Sequence, residues 1–379
     1  GRMLTPAEIA GEIERGLDFL ETEWRDVPVR QRSMRAVFDH SWRLLTPRER
    51  DVLQVLSVFR GGFTRRAAER VAGASLHVLR SLVAKSLLHR ATVPPAALRR
   101  PMDVRAQDRP LGQASSDLRY EMHELFRQYA EGKLDGAPAT GMAARDRHCA
   151  FYAAALEQWG EELKGPRQVN ALAEMSAEVG NARVAWEWAA KRGDVERLDQ
   201  GIDGLCRFYE WRGRYQEGEA ACRVPEQALT LTEDTTAASA PRDRVRMLAK
   251  ALIWRAVFAQ AMRHVERVIP LLEQGLAHLE RCASAGADVR REKAFALWQM
   301  ADASYSSGRE DARQWYEQSL ALYRTLDDRW GAASVLYGLG HDVLGMSGAF
   351  EEGEALVRES LAIRQTLGDQ RGIAMSRRS

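Results

Sequence analysis

The segment SLALYRTLDD at 319–328 returns as SLAIRQTLGD at 360–369, an offset of 41, and QGLAHL at 274–279 is a fainter earlier copy. Self-similarity at a spacing of roughly 20–50 residues marks a chain built from stacked small units. No such unit can bury its own apolar face, so each hides it on a neighbour. This repeat constrains the second half of the chain more than any other feature. It argues against one globular core there and predicts a solenoid.

The unit is a helical hairpin. Leu205, Cys206, Tyr209, Gly213, Tyr215 and Gly218 are spaced as in the signature of the tetratricopeptide repeat (TPR), which they resemble. Gly308, Ala312, Tyr316 and Ser319 give a second copy; Leu339, Gly340, Gly348, Gly353 and Val357 give a third. Small residues belong where the two helices of a hairpin cross, glycine provides the turn, and large residues fill the seam to the next hairpin. A period near 40 exceeds the usual ~34 for such repeats, so lengthened helices or loops are expected. Gly372, Ile373 and Ala374 read as the start of another hairpin, and the face they leave reads as trimmed or covered by a neighbour.

The first 135 residues follow a different plan. Thr5-Pro6 and Thr46-Pro47 each pair an N-cap with proline at the first helical turn, and Glu49 lies at the capping-box spacing from Thr46. Helices are expected over 7–21, 34–45, 51–59, 65–71 and 76–86, the last two capped by Thr64 and Ser75. Short strands are expected at 86–90 and 118–122, followed by a helix from His123 to Leu134. Between the strands, residues 91–117 hold Pro94, Pro95, Pro101 and Pro110 with few large apolar side chains, which reads as a long loop. Three helices followed by a two-stranded hairpin is winged-helix topology. The expected fold is therefore mainly α: a winged helix followed by an α-solenoid of TPR-like hairpins. Its expected parts are a helical linker end at 1–25, a winged helix at 26–135, a helical connector at 136–200 and repeats at 201–379.

Composition excludes several functions. A net charge of +2 gives no overall field toward nucleic acid or anionic lipid. Four scattered cysteines (Cys149, Cys206, Cys222, Cys282) without a CxxC pair read as free thiols of a cytoplasmic protein, with no metal site expected. No apolar run approaches the ~20 residues that cross a bilayer. Neither a Ser/His/Asp set, nor HExxH, nor an EF-hand loop occurs. The acidic clusters at Glu8, Glu12, Glu14 and at Glu351, Glu352, Glu354 read as solvated helix faces, so no catalytic residue is expected.

Five stretches together resemble the C-terminal part of a STAND-class signalling ATPase of the bacterial transcription-regulator type. They are RSMRAVFDHSW at 32–42, LSVFRGGF at 56–63, LVAKSLL at 82–88, YEMHELFRQYA at 120–130 and FYEWRG at 208–213. The resemblance implies that Met122-His123-Glu124 stands at the family's Met-His-Asp motif. There His123 would contact the β-phosphate of ADP held by a separate NTPase domain, with Glu124 in place of the usual Asp. GxxxxGK[ST] is absent, so ADP or ATP is expected only on that other domain, and this chain has no cofactor of its own. The linker end at 1–25 would follow the NTPase domain.

Trp298, Asp302, Tyr305, Tyr337 and His341 fall on first helices of hairpins, at positions that line a concave face, where aromatics suit a protein, peptide or small-molecule trigger. The leading expectation is a non-catalytic sensor and autoinhibition arm that relays such a trigger through the winged helix. Its partners would be the regulator's own NTPase domain and the trigger, with neither DNA nor membrane among them. The rivals are a free-standing DNA-binding regulator, in which Arg80, Lys85 and Arg90 reach phosphates, and a TPR assembly scaffold without switching.

Overall fold

A computed structural model describes residues 34–91, 119–229, 242–306, 311–342 and 349–377. The expected linker end at 1–25, all but Ala91 of the loop expected at 91–117, Gly308 and Gly348 lie outside them. The chain divides into two compact units, Gly1–Phe151 and Tyr152–Ser379.

In the first unit, α1 (Met34–Arg43) is followed by α2 (Pro47–Leu56), which starts where the sequence predicts. The Thr46 hydroxyl accepts from the Glu49 N–H at 3.3 Å, and the Glu49 carboxylate accepts from the Thr46 N–H at 2.7 Å, completing a reciprocal cap. Beyond α2, Gly61 and Gly62 take φ of +73° and +94°. A Cβ on Gly62 would stand 2.9 Å from the Tyr120 carbonyl, so only glycine lets the chain pass this close to the sheet. Strand β1 (Phe63–Thr64) leads into α3 (Arg65–Ala72) and α4 (Leu76–Ala84), then β2 (His89–Ala91), β3 (Arg119–Glu121) and α5 (Glu124–Asp135). The sheet is antiparallel in the order β1-β3-β2, with Tyr120 between Phe63 and Arg90. Sequence reasoning expects only two strands, because a two-residue β1 is too short to show a period. It also starts the first strand too early. Ser86 turns at φ +57°, and the N–H groups of Leu87 and Leu88 still bond the Leu82 carbonyl, so pairing begins at His89.

The core of this unit joins Leu53, Leu56, Phe59, Phe63, Leu79, Leu82 and Tyr120, all buried. Each large side chain so buried contributes about 1.5–3 kcal/mol. Helix α5 packs on α1 through Phe126 and Phe38, whose rings lie 5.2 Å apart.

The second unit holds the end of α6 (Pro138–Glu162) and then α7 (Gln168–Arg192), α8 (Val195–Trp211), α9 (Tyr215–Leu229), α10 (Arg242–Ala261) and α11 (Val265–Ser284). It finishes with α12 (Arg290–Ser306), α13 (Ala312–Thr325), α14 (Arg329–Asp342), α15 (Phe350–Leu367) and α16 (Gln370–Ser376). Hairpins α8–α9, α10–α11, α12–α13 and α14–α15 stack in chain order, and the architecture is the expected α-solenoid. The repeat read from the sequence has a structural counterpart. The buried Ser319 hydroxyl donates to the Ala294 carbonyl at 2.7 Å, and Ser360 donates to Ala333 at 2.6 Å. Gly275 occupies the same place opposite Ala249. These short residues let the two helices of a hairpin close, while large ones fill seams: Tyr316 lies against Gly338 and Tyr323 against Gly331. The tightest approach joins α6 and α8, where Gly160 and Gly204 bring the two backbones together.

The first and last hairpins of this unit touch. Gln168 Nε2 donates to Asp369 Oδ1 at 3.0 Å, and Gln168 Oε1 accepts from the Arg371 N–H at 2.9 Å. The ring of Pro166 packs on Gly368. Asp369 also caps α16 by accepting from the Gly372 N–H at 2.9 Å. The segment expected to begin another hairpin is thus a short helix clasped to the start of the array, with the Arg364 guanidinium buried against the Gly372 carbonyl and Ser376. Among the described residues, no helix is long and apolar enough to cross a membrane.

Candidate functional site

The inner face of the second unit is built by one helix from each hairpin. On α8, Asp199, Asp203, Arg207 and Glu210 recur at three- and four-residue steps, so they share one stripe. On α10 the stripe is Arg246, Lys250 and Trp254; on α12 it is Arg291, Phe295, Trp298 and Asp302. Trp330 of α14 and Arg371 of α16 complete the wall. Two cavities open on it, of about 240 Å³ and about 140 Å³, sharing Arg207, Trp254, Phe295 and Trp330.

Most charges in the larger cavity are satisfied internally. Lys250 Nζ lies 2.8 Å from Asp199 and 3.0 Å from Asp203, and Asp203 also accepts from the Trp254 indole N–H at 2.9 Å. Burial pushes the Asp203 carboxyl up, but Lys250, Trp254 and Arg207 outweigh it and hold it at about 2. Arg246 pairs with the buried Glu292. Arg207 is different. It is 7% exposed, its guanidinium stacks 4.7 Å from the Trp330 ring and 5.7 Å from the Trp254 ring, and it makes no hydrogen bond among the described residues.

In the smaller cavity, Asp302 accepts from the Tyr316 hydroxyl at 2.6 Å. Burial pushes its carboxyl up to about 7 against the hydrogen bonds from Tyr316 and Trp298, and burial also raises Glu210. Because the folded pKa of Asp302 exceeds its unfolded value, the stability it confers is full in acid and is lost as pH rises through 7. Asp302→Asn removes that loss. Between pH 5 and pH 8 the variant should gain on the order of 2 kcal/mol over the parent, the full shift being discounted for partial exposure. Thermal unfolding at the two pH values checks this, and an equal difference at both would contradict the assignment.

The structure brings together two of the expected groove residues, Trp298 and Asp302, in the smaller cavity. Tyr305 is exposed on the last turn of α12 and lines neither cavity. Tyr337 and His341 pack on each other at 4.6 Å and line neither cavity, but Tyr337 lies beneath Arg364 at 4.9 Å, which lines the smaller one. Arg207, Lys250, Trp254, Phe295 and Trp330 were not singled out. One signal was available: Lys250 is the lone charge in the apolar run LAKALIW at 248–254, four residues before Trp254.

In the first unit, His123 is exposed at the N-cap of α5, and its side chain makes no capping bond. Beside it, Gly61, Gly62, Met122, Glu124 and Arg127 line a cavity of about 210 Å³. Glu124 grips Arg127 through both oxygens at 2.7 and 2.8 Å, so its carboxylate orients that arginine and not His123. Arg127 also holds Glu131 at 2.7 Å and the Ser57 carbonyl at 3.0 Å. Lys85, a candidate phosphate contact, is drawn onto the buried Glu49 at 2.7 Å. Arg80 and Arg90 are exposed.

No family model matches the chain. Proteins of Mycobacterium tuberculosis (strain H37Rv) and Mycobacterium bovis, each described as a putative HTH-type transcriptional regulator, are 26% identical over 97% of the chain. The relatives are regulators by name. The chain spans 39% of their length. Among solved structures, a STAND protein with a tetratricopeptide repeat sensor from Pyrococcus horikoshii aligns with 98% of this chain and 59% of its own, at 14% identity and a TM-score of 0.35. Winged helix and helical repeats therefore occur here in a chain similar to named transcriptional regulators.

Proposed function

We propose that this chain is the sensing and autoinhibitory arm of a nucleotide-switched regulator. A trigger occupies the inner face of the helical array, and the winged helix relays the change to an NTPase domain carried elsewhere in the protein. The observation that carries this reading is the convergence of Arg207, Trp254, Phe295, Trp298 and Trp330 from successive hairpins on one pair of cavities. A trigger works by binding one state of the arm more tightly than the other, and the shift it produces cannot exceed that difference. His123, exposed and without a capping role, is the group assigned to the ADP phosphate.

The test uses a full-length regulator carrying this chain, loaded with fluorescent ADP. Removing residues 152–379, or changing His123→Ala, is expected to speed ADP release at least tenfold. Thermal stability of the His123→Ala protein should stay within about 0.5 kcal/mol, as for exposed positions without partners. Unaltered release in both proteins would reject the arm and leave a scaffold. One observation favours a second reading, in which the exposed His77 and Arg80 of α4 contact duplex DNA, as in helix-turn-helix proteins. Steep salt dependence of duplex binding, lost in Arg80→Ala, would establish that reading instead.

A further inference from the structure

We propose that the groove is a receptor for a small organic anion, a carboxylate or phosphate ester carried on a flat ring. Arg207 takes the anionic head, and the indoles around it take the ring. This assignment rests on the reading of the inner face as the trigger site and names the chemistry of what binds there.

Arg207 carries the argument. A guanidinium presents five N–H donors in a planar fork suited to two parallel bonds with a carboxylate or phosphate. A guanidinium that opens on a cavity with no acidic partner keeps its donors available to an incoming anion. Here the Arg207 side chain is mostly buried against Trp254 and Trp330, lines both cavities, and has no acceptor among the described residues. Its neighbours on α8 do not close the gap. Asp203 is committed to Lys250 and Trp254, and Glu210 forms no ion pair with Arg207.

Further cations line the groove, beside carboxylates of which Glu157 and Asp328 carry no ion pair among the described residues. Arg291 in the larger cavity and Arg371 in the smaller one also lack an ion-pair partner among the described residues, and Arg371 lies over the Trp211 ring at 4.9 Å. Three acids line the smaller cavity: Asp369 accepts from Gln168 and from the Gly372 N–H, and the other two, Glu210 and Asp302, are those whose burial favours the neutral form. When they take up protons, the guanidiniums of Arg207, Arg364 and Arg371 dominate the smaller cavity. Phe295 meets Trp254 at 5.0 Å and Trp298 at 5.9 Å, and Trp298 meets Trp330 at 6.1 Å. Together these rings offer flat apolar walls beside the cationic fork, the usual makeup of a small-molecule site with few polar anchors.

The experiment takes the whole chain and four probes: indole-3-carboxylate and phenyl phosphate, with indole and phenol as uncharged controls. Binding is read by quenching of tryptophan fluorescence and by the shift in Tm. At least one charged probe is expected to bind tenfold or more tightly than its uncharged counterpart. Which of the two does so tells a carboxylate ligand from a phosphate ester. Arg207→Gln should erase that preference while leaving the chain folded, as read by a single cooperative melt. Arg207→Lys keeps the charge without the fork, and it should retain a preference reduced several-fold. Equal binding of charged and uncharged probes, no binding of any probe to the folded chain, or a preference that survives Arg207→Gln would overturn the proposal. ADP release that ignores the arm, alongside anion binding that depends on Arg207, would instead overturn the relay and leave the receptor standing.

Discussion

Gly204→Ala is expected to destabilise the helical array by at least about 3 kcal/mol, the upper range for forcing a methyl group into a packed contact. A Cβ at this position would stand 2.0 Å from the Leu156 carbonyl oxygen and 3.4 Å from the Leu156 Cα. Backbone cannot rotate away as a side chain can, so α6 and α8 must separate. For a unit of this size, a loss of that order lowers Tm by roughly 6–12 °C. Gly160→Ala, whose Cβ would meet only the Gly204 backbone at 3.1 Å or more, provides the milder comparison. A Gly204→Ala protein that melts with its parent would show that the two helices do not touch as described. Because Asp203 and Arg207 flank this contact on α8, the same substitution should also displace the polar stripe of the groove.

Glu49→Ala should cost the winged-helix unit on the order of 3 kcal/mol at pH 7. The carboxylate is 4% exposed, completes the α2 cap, accepts from Ser81 at 2.6 Å and pairs with Lys85. Burial alone would raise its pKa, but Lys85, Ser81 and Thr46 together bring it down from 4.5 to about 2. The folded value lies below the unfolded one, so the stabilisation is full above pH 4.5 and disappears as pH falls toward 2. The difference between variant and parent should therefore shrink between pH 7 and pH 3. Hydrogen exchange across residues 46–85 reads this unit separately from the array. A pH-independent difference would mean that packing, and not ionised Glu49, joins α2 to α4.

How much of this was legible beforehand depended on which force left a mark in the sequence. Caps leave a mark because they need particular residues: Thr46, Thr64 and Ser75 announce their helices, and each accepts the expected backbone N–H. The 41-residue offset was legible for the same reason, since Ser319 and Ser360 meet one geometric demand twice. The groove was harder to read. Trp298 and Asp302 follow from helix periodicity alone, but Arg207 reaches Trp330 across more than a hundred residues of chain. Only the curvature of the stack brings α8 opposite α14, and no local pattern encodes curvature. Tyr337 and His341 show the converse: helix periodicity marks them, yet they line neither cavity. They lie on the same helix as Trp330, yet Tyr337 is claimed by Arg364 from α15. Likewise, Lys85 sits at the end of α4, and its attraction to Glu49 spans two helices that sequence treats as separate.

The clasp between Gln168 and the Asp369–Arg371 turn changes how the array can respond. An open stack of repeats frays from its ends and yields one hairpin at a time. Joined head to tail, these hairpins behave more like the coils of a closed clip, in which widening at one seam strains every other. A molecule wedged between the indoles would do its work against two hydrogen bonds between residues some two hundred apart in the chain. Grip on that molecule and release of the clip then become two faces of a single equilibrium.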